Sequence, residues 1–313
     1  MTGTTPTATT KASPSGSGAS TAPGSPPEST GRSAPAKAPG TPWRTALRTT
    51  GVLAVAGWCL APFYWMLVSS LRRPADIFDV SLWPAPLSFT NYANVLDPSL
   101  GFVRSLGNSF VVAGTTTVLA LTVGVTTAYA LARLDFRFKR LVLTGIIATS
   151  MFPVVSITIP LLKLFVGIGW INTYQAMVVP SMSFALPLAV WNLTSFFRQM
   201  PTQLEESARV DGCTRGQAFR KVILPLAAPG LFTTAILTFV MAWNEFLIAV
   251  SMVNKESMQT APVSVSKFTG ASQFVAPHGS QMAAGIIVTV PLVVLVLFFQ
   301  RRIVAGLTAG AVK

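Results

Sequence analysis

Six apolar runs, near 47–70, 107–131, 141–165, 174–197, 229–253 and 283–300, limit what this chain can become more than any other feature. As a helix rising 1.5 Å per residue, each run is long enough to cross the roughly 30 Å hydrocarbon core of a bilayer. Charged residues make up only 11% of the chain, about half of what a soluble domain carries. The expected fold is all-α: a polytopic membrane protein of six transmembrane helices.

Charge between the runs sets the expected orientation. If the runs alternate, one side receives Arg44, Arg48, the basic loop Arg133 to Arg140, the segment after the fourth run, and Arg301 and Arg302. The other receives Arg72, Arg73, Arg104, Lys255 and Lys267, diluted by Asp76, Asp79, Asp97 and Glu256. Cytoplasmic loops carry the excess of Lys and Arg, so both termini are expected in the cytoplasm.

Residues 1–44 are mostly Thr, Ser, Ala, Gly and Pro. They are expected to be a disordered cytoplasmic tail, since they cannot bury enough apolar surface to offset ordering. The tail has no apolar stretch of the signal-peptide kind, so the first run reads as an uncleaved anchor. Residues 45–313 are expected to form the six-helix membrane domain. Pro62, Pro153, Pro160, Pro180, Pro187 and Pro291 fall inside runs and invite kinks. Lys163, near the outer end of its run, is expected to snorkel to the interface.

The fourth and fifth runs are joined by a loop at about 198–228. Its stretch from Glu205 to Leu226 gathers three acids and four bases. Thr202 and Glu205 stand at capping-box spacing, which starts a helix, and Gly212 is placed to end it. Thr214 and Gln217 repeat the spacing, and Pro225 is expected to stop the second helix. Ala218, Phe219, Val222 and Ile223 share one face of that helix. Such a pair either lies on anionic lipid or docks in the groove of a partner.

Glu206-Ser207-Ala208, then three residues, Gly212, nine residues and Val222-Ile223-Leu224-Pro225 resembles the signature loop of ATP-binding-cassette importer membrane subunits. Ser207 and Val222 replace Ala and Ile of that signature, and the spacing is intact. The likeness covers roughly residues 45–313 and is nearest to the maltose-type carbohydrate permeases, on the side of the smaller of their two paired membrane subunits. It extends to Asn108-Ser109, to Ala128 through Arg133, to Met151-Phe152-Pro153, to Trp243-Asn244-Glu245-Phe246, and to the ending Gly306 to Lys313.

The resemblance implies that the loop is a coupling element docked in a cleft of a separate ATPase subunit, through Glu205, Glu206, Ser207, Ala208, Asp211, Gly212, Phe219, Leu224 and Pro225. It implies a second ATPase contact at Gly306, Leu307, Thr308 and Gly310. It places Trp243, Asn244 and Glu245 on or beside a substrate pathway, with Glu245 either tying helices or meeting a sugar hydroxyl. The outer segment Asn254 to Gln281 would face an extracytoplasmic sugar-binding protein. The implied partners are a second homologous membrane subunit, two ATPase subunits, that binding protein and the bilayer of a prokaryotic cytoplasmic membrane. Nucleic acid is not among them.

The chain contains no Gly-Lys dipeptide, so it lacks a phosphate-binding loop of the G-x-x-x-x-G-K type and cannot be the ATPase. ATP and Mg are therefore expected on the partner, and no cofactor here. His278 is the lone histidine, and Cys59 and Cys213 belong to different segments, so neither a metal site nor a disulfide is expected. An importer of another solute keeps the same architecture. A gradient-driven transporter would need several intramembrane charges, and a membrane enzyme would need a nucleophile with its base; Glu245 alone supplies neither.

Overall fold

The computed structural model describes residues 42–268 and 278–309. Residues 1–41 of the expected tail therefore lie outside the description, and Pro42 to Arg44 already belong to the first helix. Within that helix the stretch to Ala54 belongs to one unit of the chain, and Val55 onward to the main helical body.

Every regular element among the described residues is helical. In chain order these are α1 (Pro42–Ser70), α2 (Thr90–Val95), α3 (Phe102–Arg133), α4 (Lys139–Thr149), α5 (Val154–Gly167), α6 (Tyr174–Gln199) and α7 (Gln203–Val210). There follow α8 (Arg215–Ala218), a π-turn at Phe219–Ile223, α9 (Leu224–Leu226), α10 (Ala228–Trp243), α11 (Leu247–Met252), α12 (Ala261–Ser266) and α13 (His278–Ala309). Among the described residues four helices are long and apolar enough to cross a membrane: Ala46–Ser70, Phe102–Arg133, Tyr174–Gln199 and His278–Gln300. Counting each of two bent pairs, α4 with α5 and the stretch Arg215–Leu226 with α10, as one span raises the number to as many as six by length and composition.

The third and fifth expected runs are not continuous helices. The third breaks between α4 and α5, which meet at 87°. Pro153 has no N–H to donate and disfavours helical backbone at Phe152, so the helix stops at Thr149 and restarts after the proline. The fifth run breaks after Trp243, and its last turns form the separate helix α11. Pro62, Pro160, Pro180, Pro187 and Pro291 by contrast stay inside unbroken helices.

The core is built on α3 and α6. Ala113, Ala120, Gly124 and Ala128 of α3 and Ala185 and Ala189 of α6 are small, and the alanines among them are fully or almost fully buried. Lipid gives no hydrophobic reason for helices to associate, so close van der Waals packing through small residues takes that role. A Cβ added to Gly124 would lie 3.2 Å from the Ala189 Cβ, so the two helices are already at contact there. Further on, Phe165 of α5, Ala176 of α6, and Ile248 and Met252 of α11 form one cluster, which holds the broken fifth run against its neighbours.

Candidate functional site: the coupling arm and the broken fifth helix

Helices α7 to α9 form the arm between α6 and α10. The first cap does not form as the sequence suggests: Thr202 has helical backbone angles and its side chain caps nothing. Glu205 is engaged elsewhere, its Oε1 accepting a 2.8 Å hydrogen bond from the Tyr129 hydroxyl of α3. Gly212 does end α7, with φ +85°. Its N–H donates to Arg209 O at 3.1 Å and that of Cys213 to Ala208 O at 3.0 Å. This crossed pair is the Schellman turn that a left-handed glycine permits. Thr214 and Gln217 form the full capping box of α8, with bonds of 3.3 and 2.8 Å.

Pro225 does not stop the second helix. The chain passes through the π-turn at 219–223, continues to Leu226, and only then bends 72° into α10. A proline removes one helix hydrogen bond and crowds the carbonyl one turn back, and a π-turn just before it accommodates that loss.

The apolar stripe of this second helix turns inward. Ala218 and Ile223 are fully buried, and Phe219 and Leu224 pack with Val125, Ala128, Leu193, Phe197 and Ala227. The Phe219 ring lies 4.4 Å from Tyr129 and 6.5 Å from Phe197, centroid to centroid. Of the expected docking residues, Glu206, Ser207, Asp211, Gly212 and Pro225 are exposed; Ala208 is buried, and Glu205, Phe219 and Leu224 are partly so. The stripe thus anchors the arm to the ends of α3 and α6 and leaves the opposite, polar side exposed.

Three features of this arm escape a reading of the sequence. Tyr129 holds both arm helices at once, through its hydroxyl on Glu205 and its ring on Phe219. Arg133 adds a 2.8 Å bond from Nη2 to Met200 O. Val210, at the tip beside the Gly212 turn, is 88% exposed, an apolar side chain left uncovered on the polar side. Between the arm and the end of α3 opens a cleft of about 310 Å³ lined by Arg133, Asp135, Glu205, Glu206, Arg209 and Arg215. The Ala-Tyr-Ala-Leu-Ala-Arg stretch was the available signal, though nothing in it says that its tyrosine reaches residue 205.

Tyr129→Phe keeps the ring contact and deletes one hydrogen bond to a carboxylate, worth about 1.5–3 kcal/mol. Amide exchange in α7 should quicken about tenfold or more while exchange in α3 stays unchanged; equal exchange in both variants would remove the hydroxyl from this role.

The second candidate region is Trp243 to Glu245. Trp243 is 1% exposed, stacked near Phe239 at 5.7 Å and edge-on to Phe110 at 4.8 Å. Its indole N–H has no hydrogen-bond partner among the described residues. Asn244 is exposed and returns its amide to Val240 O of its own helix at 2.8 Å. Glu245 neither ties two helices together nor stands free. Its Oε1 accepts from the Ile248 N–H at 2.7 Å and its Oε2 from the Ala249 N–H at 3.0 Å. These are orphan donors at the start of α11, and the carboxylate serves both. Glu245 therefore makes the break in the fifth run possible.

At the other end of α3, Asn108 and Ser109 hold the segment around residues 257–261. Asn108 Nδ2 donates to Ser257 O and Gln259 O at 3.0 and 2.8 Å, and Tyr174 donates to Asn108 Oδ1 at 2.7 Å. Ser109 Oγ accepts from the Ala261 N–H at 2.8 Å. Asn172, at φ 60°, accepts from the N–H groups of Asn254 and Lys255. His278, expected in an outer loop, instead opens α13, its ring 6.0 Å from Phe78. Of the expected second contact, Gly306 to Thr308 lie within α13, and Gly310 lies outside the described residues. Among the described residues no group of His, Cys, Asp and Glu could hold a metal ion.

The family model for the inner membrane component of binding-protein-dependent transport systems matches residues 96–308, which contain the coupling arm and the broken fifth helix. The chain belongs to that family. It is 46% identical over 259 residues to the trehalose transport system permease protein SugB of Mycobacterium tuberculosis, covering 83% of this chain and 94% of that one. It is 40% identical over 264 residues to the trehalose/maltose transport system permease protein MalG of Thermococcus litoralis, covering 84% and 95%. The crystal structure of a bacterial ABC transporter involved in the import of the acidic polysaccharide alginate shares the fold. That match has a TM-score of 0.72 at 21% identity and covers 86% of this chain and 99% of that one. This member of the family is thus a multi-pass protein of the inner, cytoplasmic membrane.

Proposed function

We propose that this family member is the permease subunit of an ATP-driven importer that passes a sugar, and specifically an oligosaccharide, across the membrane by alternating access. The observation that carries the cargo is the likeness to sugar permeases over more than four-fifths of the chain at 46% and 40% identity. A second homologous permease chain would complete the path, an extracytoplasmic binding protein would deliver the sugar, and a separate pair of ATPase subunits would hydrolyse ATP with Mg. Both termini lie in the cytoplasm in this reading, which the basic loop Arg133 to Arg140 supports. Residues 45–313 then make up the permease domain, and no role is assigned to the tail before it.

The ATPase would dock on the exposed side of the arm: Glu206, Ser207, Val210, Asp211, Gly212 and Arg215. Ala208, Phe219 and Leu224 face the chain's own core and serve by fixing the arm to α3 and α6. Motion of the docked ATPase would then reach α3 through Tyr129 and α10 through the π-turn. The joint supports force transmission because its apolar half is internal and its charged half is free to set register with a partner.

The test is uptake of labelled trehalose and maltose by vesicles carrying the assembled complex. Uptake should require ATP on the ATPase side and survive collapse of ion gradients. Gradient dependence would sink the ATP-driven reading; ATP-driven uptake of a non-sugar solute alone would keep the permease and replace the cargo.

A further inference from the structure

Residues 77–89 link the end of α1 to α2 on the face opposite the coupling arm, and neither the arm nor Glu245 uses them. Phe78, Val80, Leu82 and Trp83 are 80%, 81%, 71% and 66% exposed. Left in water, side chains of this size forgo about 1.5–3 kcal/mol each that burial would supply.

The backbone that carries them is tightly held. Arg72, buried at the end of α1, donates through Nη1 to Asp79 O and through Nη2 to Ser81 O. Its guanidinium also lies 4.9 Å from the Trp65 ring. The Tyr64 hydroxyl donates to Leu82 O at 2.6 Å, and Ser81 Oγ donates to Asp79 Oδ2 at 2.7 Å. Pro84 and Pro86 have no N–H to satisfy. Side chains thus serve the carbonyls of Asp79, Ser81 and Leu82. Irregular backbone requires this wherever water is scarce.

Tyr64 gives the depth. It stands six residues before Ser70, the last residue of α1, hence about 9 Å down the helix axis at 1.5 Å per residue. Its bond to Leu82 draws the segment back alongside the spanning helix by that distance. From the same Tyr64 an open apolar cleft of about 530 Å³ continues between α1 and α13, lined by Leu60, Phe63, Val290, Val293 and Val294. The apolar surface therefore runs unbroken from the segment onto the membrane-spanning helices. Its polar edge holds the Arg73–Asp76 ion pair at 2.9 Å, and Asp79, whose carboxyl is kept below its ordinary pKa by hydrogen bonds from Ser81.

We propose that residues 77–83 form a strap folded back along α1 into the outer lipid interface, with Phe78, Val80, Leu82 and Trp83 among headgroups and upper acyl chains. Arg72 and Tyr64 are the buckle, and the Arg73–Asp76 pair and Asp79 mark the watery side. Aromatic and aliphatic side chains at this level anchor a span against sliding. The strap requires that α1 cross the bilayer and is independent of cargo and of the ATPase partner.

The test places a genetically encoded nitroxide amino acid at Leu82 or Trp83 in the assembled complex in phosphatidylcholine vesicles. Collision with oxygen should exceed collision with the water-soluble nickel chelate NiEDDA severalfold at both positions, and Tyr64→Phe should raise the nickel collision rate at Leu82 at least twofold. A dominant nickel signal in the unaltered chain would make the segment a solvated loop. Low accessibility to both reagents would mean that a protein partner covers it. Either result overturns the strap, and an unchanged depth in Tyr64→Phe overturns the tether.

Discussion

Glu245→Ala should destabilise the inserted protein by about 2–4 kcal/mol, because two N–H groups at the start of α11 lose hydrogen bonds of the kind worth about 1.5–3 kcal/mol each. The losses are not additive, since removing the acid also removes the cost of holding it within the membrane. Glu245→Gln keeps one acceptor oxygen, can serve one of the Ile248 and Ala249 donors, and should cost about 1–2 kcal/mol. Denaturation midpoints of the detergent-purified complex give the order wild type, Gln, Ala. Cargo affinity of the surviving Gln protein should stay within about twofold of wild type. A tenfold fall in affinity with unchanged stability would instead make Glu245 a cargo ligand, through the lone pairs that its two backbone bonds leave free.

This same residue shows where sequence reading stops. Hydropathy counts apolar side chains, and a break between two helices barely changes that count, so the third and fifth runs look continuous. Pro153 could have been weighted more heavily, since it both lacks an N–H and restricts Phe152, whereas Pro180 and Pro187 do the same inside an unbroken α6. Sequence alone does not separate them, because a helix can hold a proline where its packing keeps it straight. Glu245 carried a usable signal: an acid inside an apolar run, three and four residues before Ile248 and Ala249, is spaced to cap a new helix.

The coupling arm divides along the same line. Gly212, Thr214 and Gln217 act through bonds within a few residues, and their roles are legible from spacing alone. Thr202 is not, because Tyr129, 76 residues before Glu205, claims the carboxylate that its capping box needed. Periodicity correctly groups Ala218, Phe219, Val222 and Ile223 on one face. It says that such a face is covered, not by what, and here the cover is the chain's own α3 and α6.

Gly212 lets the turn be tested apart from the contact. At φ +85° most side chains are strained, yet a Cβ there meets nothing within 4 Å, so a substitution acts on the backbone and on whatever partner arrives, not on packing. Left-handed backbone costs a non-glycine residue about 1–2 kcal/mol, and a β-branched one more. Gly212→Ala should weaken retention of the ATPase on purification about fivefold, and Gly212→Val about 30-fold, with insertion of the chain unchanged; 1.4 kcal/mol corresponds to a factor of ten. Asparagine is among the few residues that enter this conformation readily. Gly212→Asn therefore preserves the Schellman turn while adding a side chain to the exposed tip. Retention within about threefold of wild type would mean that the glycine serves the turn alone. A loss as large as that of Gly212→Val, with α7 still protected from amide exchange, would mean that the ATPase surface closes directly over position 212. Retention of the ATPase by all three variants would remove the Gly212 turn from the docking site, and the exposed Glu206 and Arg215 would then be the next positions to vary.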